Sequence, residues 1–395
     1  MKRLRITKER VIVAIVLIAV VAAVRVVSLQ SATPTVLADA GTYIEYDDNS
    51  KVLFHSAGSD VFCCTKDGVR LLNANGEAKW EEIVNLQAPV MYATDDVIAL
   101  GCSNTRRVYV FGITGKMFER RFDASLLSFA VNGKGMLTVI LRSGDGFRVE
   151  IHKPEQSGAV WRYFVNTENI YPVSADVSED GRVVALSLLD LTPNAYAAMT
   201  THISFMYIQK NDALLTSDAD GKFAGHVLEG DMATVRFVGE RLIATTDTGV
   251  HCYTLNAFGN FETVVESSWH ANYGNKISQL AIGHDTIAVV LGEPNTSISA
   301  QESETEPVDL LKIYNMKGQL TGTYQTAGVD HLSIGAKGVV VGSGRLFVCV
   351  DKKGNRAWSY GARQDISVVA LSDIKTALAV GATESWLLGN KESDH

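Results

Sequence analysis

Short apolar runs of four to eight residues, many alternating with polar positions and broken by Gly, Asn or Asp, recur from about residue 50 to residue 388. That period of two predicts strands rather than helices. The runs come in sets, and the innermost strand of each set, read from its alternation, starts near Lys51, Pro89, Leu126, Val173, Ala233, Ile277, His331 and Ile366. The last set, residues 366–388, is one strand short, and residues 42–46 can supply the missing strand from the beginning of the chain. Eight sets result, or seven if the last merges with the first.

A turn element repeats with the strands. An aromatic or aliphatic residue is followed by Asn, Asp or Gly, two further residues, and Gly: Leu72-Asn73-x-x-Gly76, Phe111-Gly112-x-x-Gly115, Leu255-Asn256-x-x-Gly259, Tyr314-Asn315-x-x-Gly318 and Val350-Asp351-x-x-Gly354. Asn, Asp and Gly tolerate the left-handed backbone of a tight hairpin, and a terminal Gly closes it without a Cβ clash. Trp80 and Trp358 follow two of these turns, and Gly158 with Trp161 forms a looser version. A Trp on the outgoing strand is expected to pack between adjacent sheets. Four short strands repeating every ~36–60 residues predict an all-β fold, an eight-bladed β-propeller with seven blades as the alternative. Two longer stretches, 190–200 and 292–307, fall between strands, where such rings accept insertions.

The first thirty residues follow another pattern. Residues 11–24 are an unbroken run of Val, Ile, Leu and Ala, and the apolar character continues past Arg25 to Leu29. About 19 residues is close to the ~20 that a helix needs to cross hydrocarbon. Lys2, Arg3, Arg5, Lys8 and Arg10 precede the run, which puts the N-terminus in the cytoplasm and the rest outside. A cleaved signal peptide would look similar, but Ala38-Asp39-Ala40, the small-x-small site, lies more than ten residues beyond the run. An uncleaved anchor in the cytoplasmic membrane is therefore expected, with a basic tail over 1–10, a transmembrane helix over 11–29, a tether over 30–40 and an exported ring over 41–390.

Composition narrows the function. Gly is abundant at 33 residues and Pro scarce at 7, as many tight turns require. Residues 1–30 hold six of the 36 basic residues and one of the 44 acidic ones, which leaves the remainder with 30 against 43 and a formal net charge of −13. Such a body repels nucleic-acid phosphates, so no nucleic-acid partner is expected. The five cysteines are an odd number without C-x-x-C spacing, and signal neither zinc nor a disulfide framework.

The basic start, the single span and the N/D-x-x-G-x-x-x-W repeats resemble propellers built from pyrroloquinoline-quinone-type (PQQ-like) repeats. More narrowly, the segment from Asp180-Gly181-Arg182 through Leu189-Asp190, followed by an insertion and the apolar run 203–208, resembles an uncharacterised family of membrane-anchored propellers from Gram-positive bacteria. The resemblance covers essentially the whole chain. It implies the fold and the anchor but no catalytic residue.

Three groups of residues invite a chemical reading. Cys63-Cys64 is a vicinal pair of the kind that quinone-dependent propeller dehydrogenases oxidise, but inside a strand the two side chains point to opposite faces, so both are read as core thiols. Asp218-x-Asp220-Gly221 opens like a calcium loop yet lacks the acidic twelfth ligand, and is read as a turn, as are Asp180-Gly181 and Asp67-Gly68. The nine histidines show no metal-binding spacing, and no nucleophile elbow, P-loop or dinucleotide fingerprint is present. No catalytic, cofactor-binding or metal-binding residue is assigned. The expected function is a non-catalytic, membrane-anchored scaffold for an envelope protein or cell-wall polymer; the alternative is a cofactor-binding or glycan-active enzyme that uses the central funnel.

Overall fold

A computed structural model describes residues 35–45, 52–73, 76–94, 96–103, 105–192, 200–208, 224–229, 232–256, 264–274, 276–292, 308–373, 376–381 and 384–389. The predicted span, the motif Asp218-x-Asp220-Gly221 and the acidic stretch of the second insertion lie outside them. Every regular element of the described residues is a strand, and no helix among them is long and apolar enough to cross a membrane.

The strands form eight sheets with four antiparallel strands each and a fifth, parallel strand in the seventh, in chain order from the centre outward: residues 53–83, 90–121, 126–165, 170–229, 234–272, 277–327, 331–361 and, completed by 38–45, 366–389. We number them blades 1 to 8. The inner strands begin at Leu53, Val90, Leu126, Ile170, Thr234, Ile277, His331 and Ile366, each within three residues of its predicted start. Eight apolar clusters hold the ring, one in each gap between neighbouring blades, including that between blade 8 and blade 1. Each blade therefore buries both faces, which is why the second strands, such as Val97–Gly101 and Thr286–Leu291, are buried at every position.

Ring closure comes from the start of the chain. Ala38–Glu45 pairs antiparallel with Glu384–Gly389 and supplies the outer strand of blade 8, as the missing fourth strand required. The tether expected over 30–40 needs correction, because Thr35–Val36 is a strand too and pairs in parallel with Arg356–Gly361 on blade 7. Leu37, between the two pairings, is 3 % exposed and packs with Trp358, Tyr360 and Trp386. The small polar residues and Pro34 suggested a linker; the open edge of blade 7 makes part of it a strand.

Because consecutive strands are antiparallel, the turns joining strands 1–2 and 3–4 of every blade lie on one face of the ring. The 2–3 loops and the connections between blades lie on the other. We call these the turn face and the loop face. Both insertions leave from the loop face, whereas the chain enters at Thr35 and ends at Gly389 from the turn face.

The repeated turn is one hydrogen-bonded unit. The carbonyls of Asn73, Asn315 and Asp351 accept the N–H of Gly76, Gly318 and Gly354 at 2.9, 3.0 and 3.0 Å. Their side-chain oxygens accept the N–H of Glu77, Gln319 and Asn355 at 2.9, 3.1 and 2.8 Å. All three glycines have positive φ, between 75° and 85°. The turn then receives the preceding blade. Trp80 stacks on Phe111 with centroids 5.9 Å apart and donates from Nε1 to the Ile113 carbonyl at 3.0 Å. Trp269 repeats this on Tyr314 and the Met316 carbonyl, at 5.9 and 3.1 Å.

That docking leaves no room at Gly318, where a Cβ would meet Trp269 Cγ at 2.3 Å and the φ of +75° is already unfavourable for other residues. Gly318→Ala is expected to lower stability by about 2–5 kcal/mol, combining left-handed strain with overpacking. Gly58→Ala, at φ +62° with nothing within 4 Å, carries the strain alone and is expected to cost about 1–2 kcal/mol. Denaturant midpoints compare the two, and equal losses would show that the Trp269 contact is not restrictive.

Candidate binding faces of the ring

Inner strands are sheet edges, so their outward N–H groups need partners from the neighbouring blade. On blade 4, Ser174 Oγ accepts from Val235 N at 2.7 Å and Asp176 Oδ2 from Phe237 N at 2.7 Å, while Asp176 Oδ1 accepts from Val177 N at 2.8 Å. Tyr92 of blade 2 reaches across the channel and donates its hydroxyl to Asp176 Oδ2 at 3.3 Å. The Arg236 guanidinium of blade 5 lies over the Tyr92 ring, 5.4 Å from its centroid, and donates to the Ala93 carbonyl. Three blades thus meet in one polar cluster at the centre. Burial pushes the Asp176 carboxyl up to about 7, against the N–H groups of Phe237 and Val177 that favour its ionised form.

On the turn face the channel opens into two adjoining cavities. One of about 320 Å³ is lined by Thr94, Asp96, Glu179, Arg236 and His284; the other, of about 360 Å³, by His55, Asp96, His284, Asp285 and Ile334. Glu179 accepts the Gly133 N–H at 2.8 Å, and Lys352 Nζ lies 2.6 Å from Asp285. The mouth is polar and of mixed charge. Among the described residues, no group of three or more His, Cys, Asp or Glu is placed to hold a metal ion. Asp176, at 1 % exposed and held by three donors, is a link between blades rather than an acid available to a ligand.

Cys63 and Cys64 lie where strand geometry put them. Cys63 packs into the gap with blade 8 and Cys64 into the gap with blade 2, so their thiols diverge. Burial raises both, Cys63 to about 12 and Cys64 well above its ordinary value, which leaves neither reactive. Asp180-Gly181 and Asp67-Gly68 form turns as read, Gly181 with φ +70°.

The loop face differs in character. Of ten exposed large hydrophobic residues among those described, seven lie there: Ile83, Val90, Leu127, Tyr171, Leu191, Met232 and Leu346. Ile113, Met117 and Leu320 lie toward the turn face. The sequence does not mark these seven, because an apolar residue at either end of a strand looks the same whether the ring covers it or not.

The model of a family described as "Family of unknown function (DUF5711)" matches residues 39–384. No curated protein sequence matches the chain. Among solved structures, it is similar to BamB from Moraxella catarrhalis at 12 % identity and TM-score 0.49, over 90 % of this chain and 100 % of that one. It is also similar to the Cps50 (Swd1) β-propeller domain of Myceliophteria thermophila at 10 % identity and TM-score 0.48, over 90 % and 99 %, and to the Pan2 WD40 domain of Neurospora crassa at 12 % and 0.41, over 77 % and 89 %. At such similarity these likenesses carry no functional argument, and the eight-bladed ring is read from this chain's own strand pairing.

Proposed function

The chain belongs to the DUF5711 family of unknown function, and we propose that it is a membrane-anchored binding module whose loop face engages a partner protein outside the cytoplasmic membrane. One observation carries this reading: among the described residues, seven of the ten exposed large hydrophobic ones lie on the loop face, opposite the face where the chain enters the ring. Gathered apolar exposure marks association surfaces, and a wall polymer of sugars or phosphates would gain little from it.

The anchor fits the same geometry. If residues 11–29 span the bilayer, residues 30–34 can reach at most about 18 Å when fully extended. The ring is then held close to the membrane with its turn face inward and its loop face and insertions outward. The matching docking of Trp80 and Trp269 on the following turns supports the likeness to PQQ-like repeats as one of architecture. It requires no quinone.

A photo-reactive amino acid placed at Tyr171 and, separately, at Leu320 tests the reading in intact cells. Crosslinks to a discrete protein are expected from Tyr171 on the loop face and not from Leu320 near the turn face. Capture from both positions alike, or from neither, would overturn it.

A further inference from the structure

Four of the loop-face residues stand at matching places on consecutive blades. Val90 and Leu127 are the first and second residues of the inner strands of blades 2 and 3, Tyr171 is the second of blade 4, and Met232 stands two residues before that of blade 5. These inner strands lie side by side around the channel. The four side chains, 43 %, 37 %, 42 % and 52 % exposed, therefore mark an apolar arc along the loop-face ends of four of the eight blades. Tyr171 is held by an edge contact with Phe147, 5.8 Å between centroids.

Arginines flank the arc at the junction of blades 2 and 3. Arg106 O accepts from Phe122 N at 2.7 Å, and Arg142 N donates to Ser125 O at 2.9 Å, which fixes these two residues on either side of the connection leading to Leu127. Arg121 ends the outer strand of blade 2. All three are exposed, and among the described residues none has a carboxylate within 4.0 Å, whereas nearby Arg107 and Arg148 are already paired with Glu119 and Glu150 at 3.2 and 2.9 Å. Asp123, which is paired with Arg148 on the same connection, and Asp145 and Glu168 share the face and offset the arginines in number. On a body of net charge −13, three unpaired guanidiniums beside an apolar arc are a local source of positive charge.

Resting on the proposed protein-binding role of this face, we infer that blades 2–5 take an acidic, aliphatic-rich segment of the partner, its apolar side chains on the arc and its carboxylates on Arg106, Arg121 and Arg142. Guanidiniums suit carboxylates because two N–H groups can meet both oxygens, and the surrounding negative surface turns away basic competitors. A polyanion such as a phosphate polymer would use the arginines and ignore the arc.

A displayed library of random 12-residue peptides, selected on the full chain in detergent micelles, tests this. Peptides combining Asp or Glu with Leu, Ile or Phe are expected to be enriched. Synthetic copies should bind at least tenfold more weakly to Leu127→Ser/Tyr171→Ser and to Arg106→Glu/Arg142→Glu, and only the arginine variant should lose the salt dependence. All four side chains are exposed, and unchanged melting confirms intact folds. Enrichment of basic peptides, or no enrichment, would overturn the inference. So would displacement of the peptides by polyphosphate together with indifference to the Leu127 and Tyr171 changes, which would make the site one for polyanions. Apolar peptides without carboxylates, sensitive only to Leu127→Ser/Tyr171→Ser, would sink the acidic partner yet keep the docking face. Retention insensitive to either double variant would sink the face itself.

Discussion

A chain shortened to begin at residue 46 is expected to lose cooperative unfolding, whereas one that begins at residue 35 keeps it. The shorter chain lacks Thr35–Val36 and Ala38–Glu45, which cover the outer edges of blades 7 and 8. It also lacks Leu37, whose burial among Trp358, Tyr360 and Trp386 is by itself comparable to a core leucine deletion of about 2–5 kcal/mol. Adding the strand pairing of blade 8 brings the loss near the whole ~5–15 kcal/mol stability of a typical domain, and bares the edge of Glu384–Gly389 to other chains. Circular dichroism melts of the two truncations make the comparison. Coincident midpoints would mean that closure by the chain's beginning contributes little.

The second large effect is a dependence on pH centred on Asp176. Its carboxyl, 1 % exposed, is raised by burial to about 7 from an ordinary value near 3.8. The folded state therefore holds a proton that the unfolded state has released between those values, so this residue's stabilising contribution is complete below about pH 4 and is lost as pH rises through about 7. A shift of that size corresponds to about 4 kcal/mol at one pKa unit per 1.36 kcal/mol. Carboxylates held low, such as Asp123 hydrogen-bonded to Arg148, act in the opposite direction at lower pH, so the difference between parent and variant is the quantity to read. Asp176→Asn removes the titration, and its NH2 turns two hydrogens, where the protonated acid has one, toward donors from which the carboxyl oxygens accept. The variant is expected to be clearly less stable than the parent at pH 4 and to approach or exceed it by pH 8, measured by urea midpoints across that range. A constant difference between the two at every pH would exclude the buried titration.

Much of the ring was legible because its signals are local. Alternation located every inner strand to within three residues, and the N/D-x-x-G turns at Gly76, Gly318 and Gly354 were visible because a single glycine with positive φ closes each one, the turn at Asn256-x-x-Gly259 lying outside the described residues. The vicinal cysteines could be set aside from strand geometry alone. The central cluster could not be read, since Tyr92, Asp176 and Arg236 belong to blades 2, 4 and 5 and meet only when the ring is closed. Trp269 was missed as a docking residue because its separation from Asn256-x-x-Gly259 differs from that of Trp80 after its own turn. Thr35–Val36 has too few residues to show a period, and its conformation depends on an edge more than three hundred residues away. The apolar arc was hidden for a related reason: exposure is a property of the assembled ring.

The pairing of Ala38–Glu45 with Glu384–Gly389 also fixes an order of events during synthesis. Ala38–Glu45 leaves the ribosome long before Glu384–Gly389, so it must wait unpaired while seven blades form. Those blades can assemble one against another through contacts close in sequence, but the final step is a search between the two ends of the chain, slow and costly in entropy. Until it succeeds, the molecule is an open arc with a bare sheet face at each end, the form most exposed to aggregation and to proteolysis. Incomplete translation products of this chain would thus be stranded in that form however well their individual blades had folded.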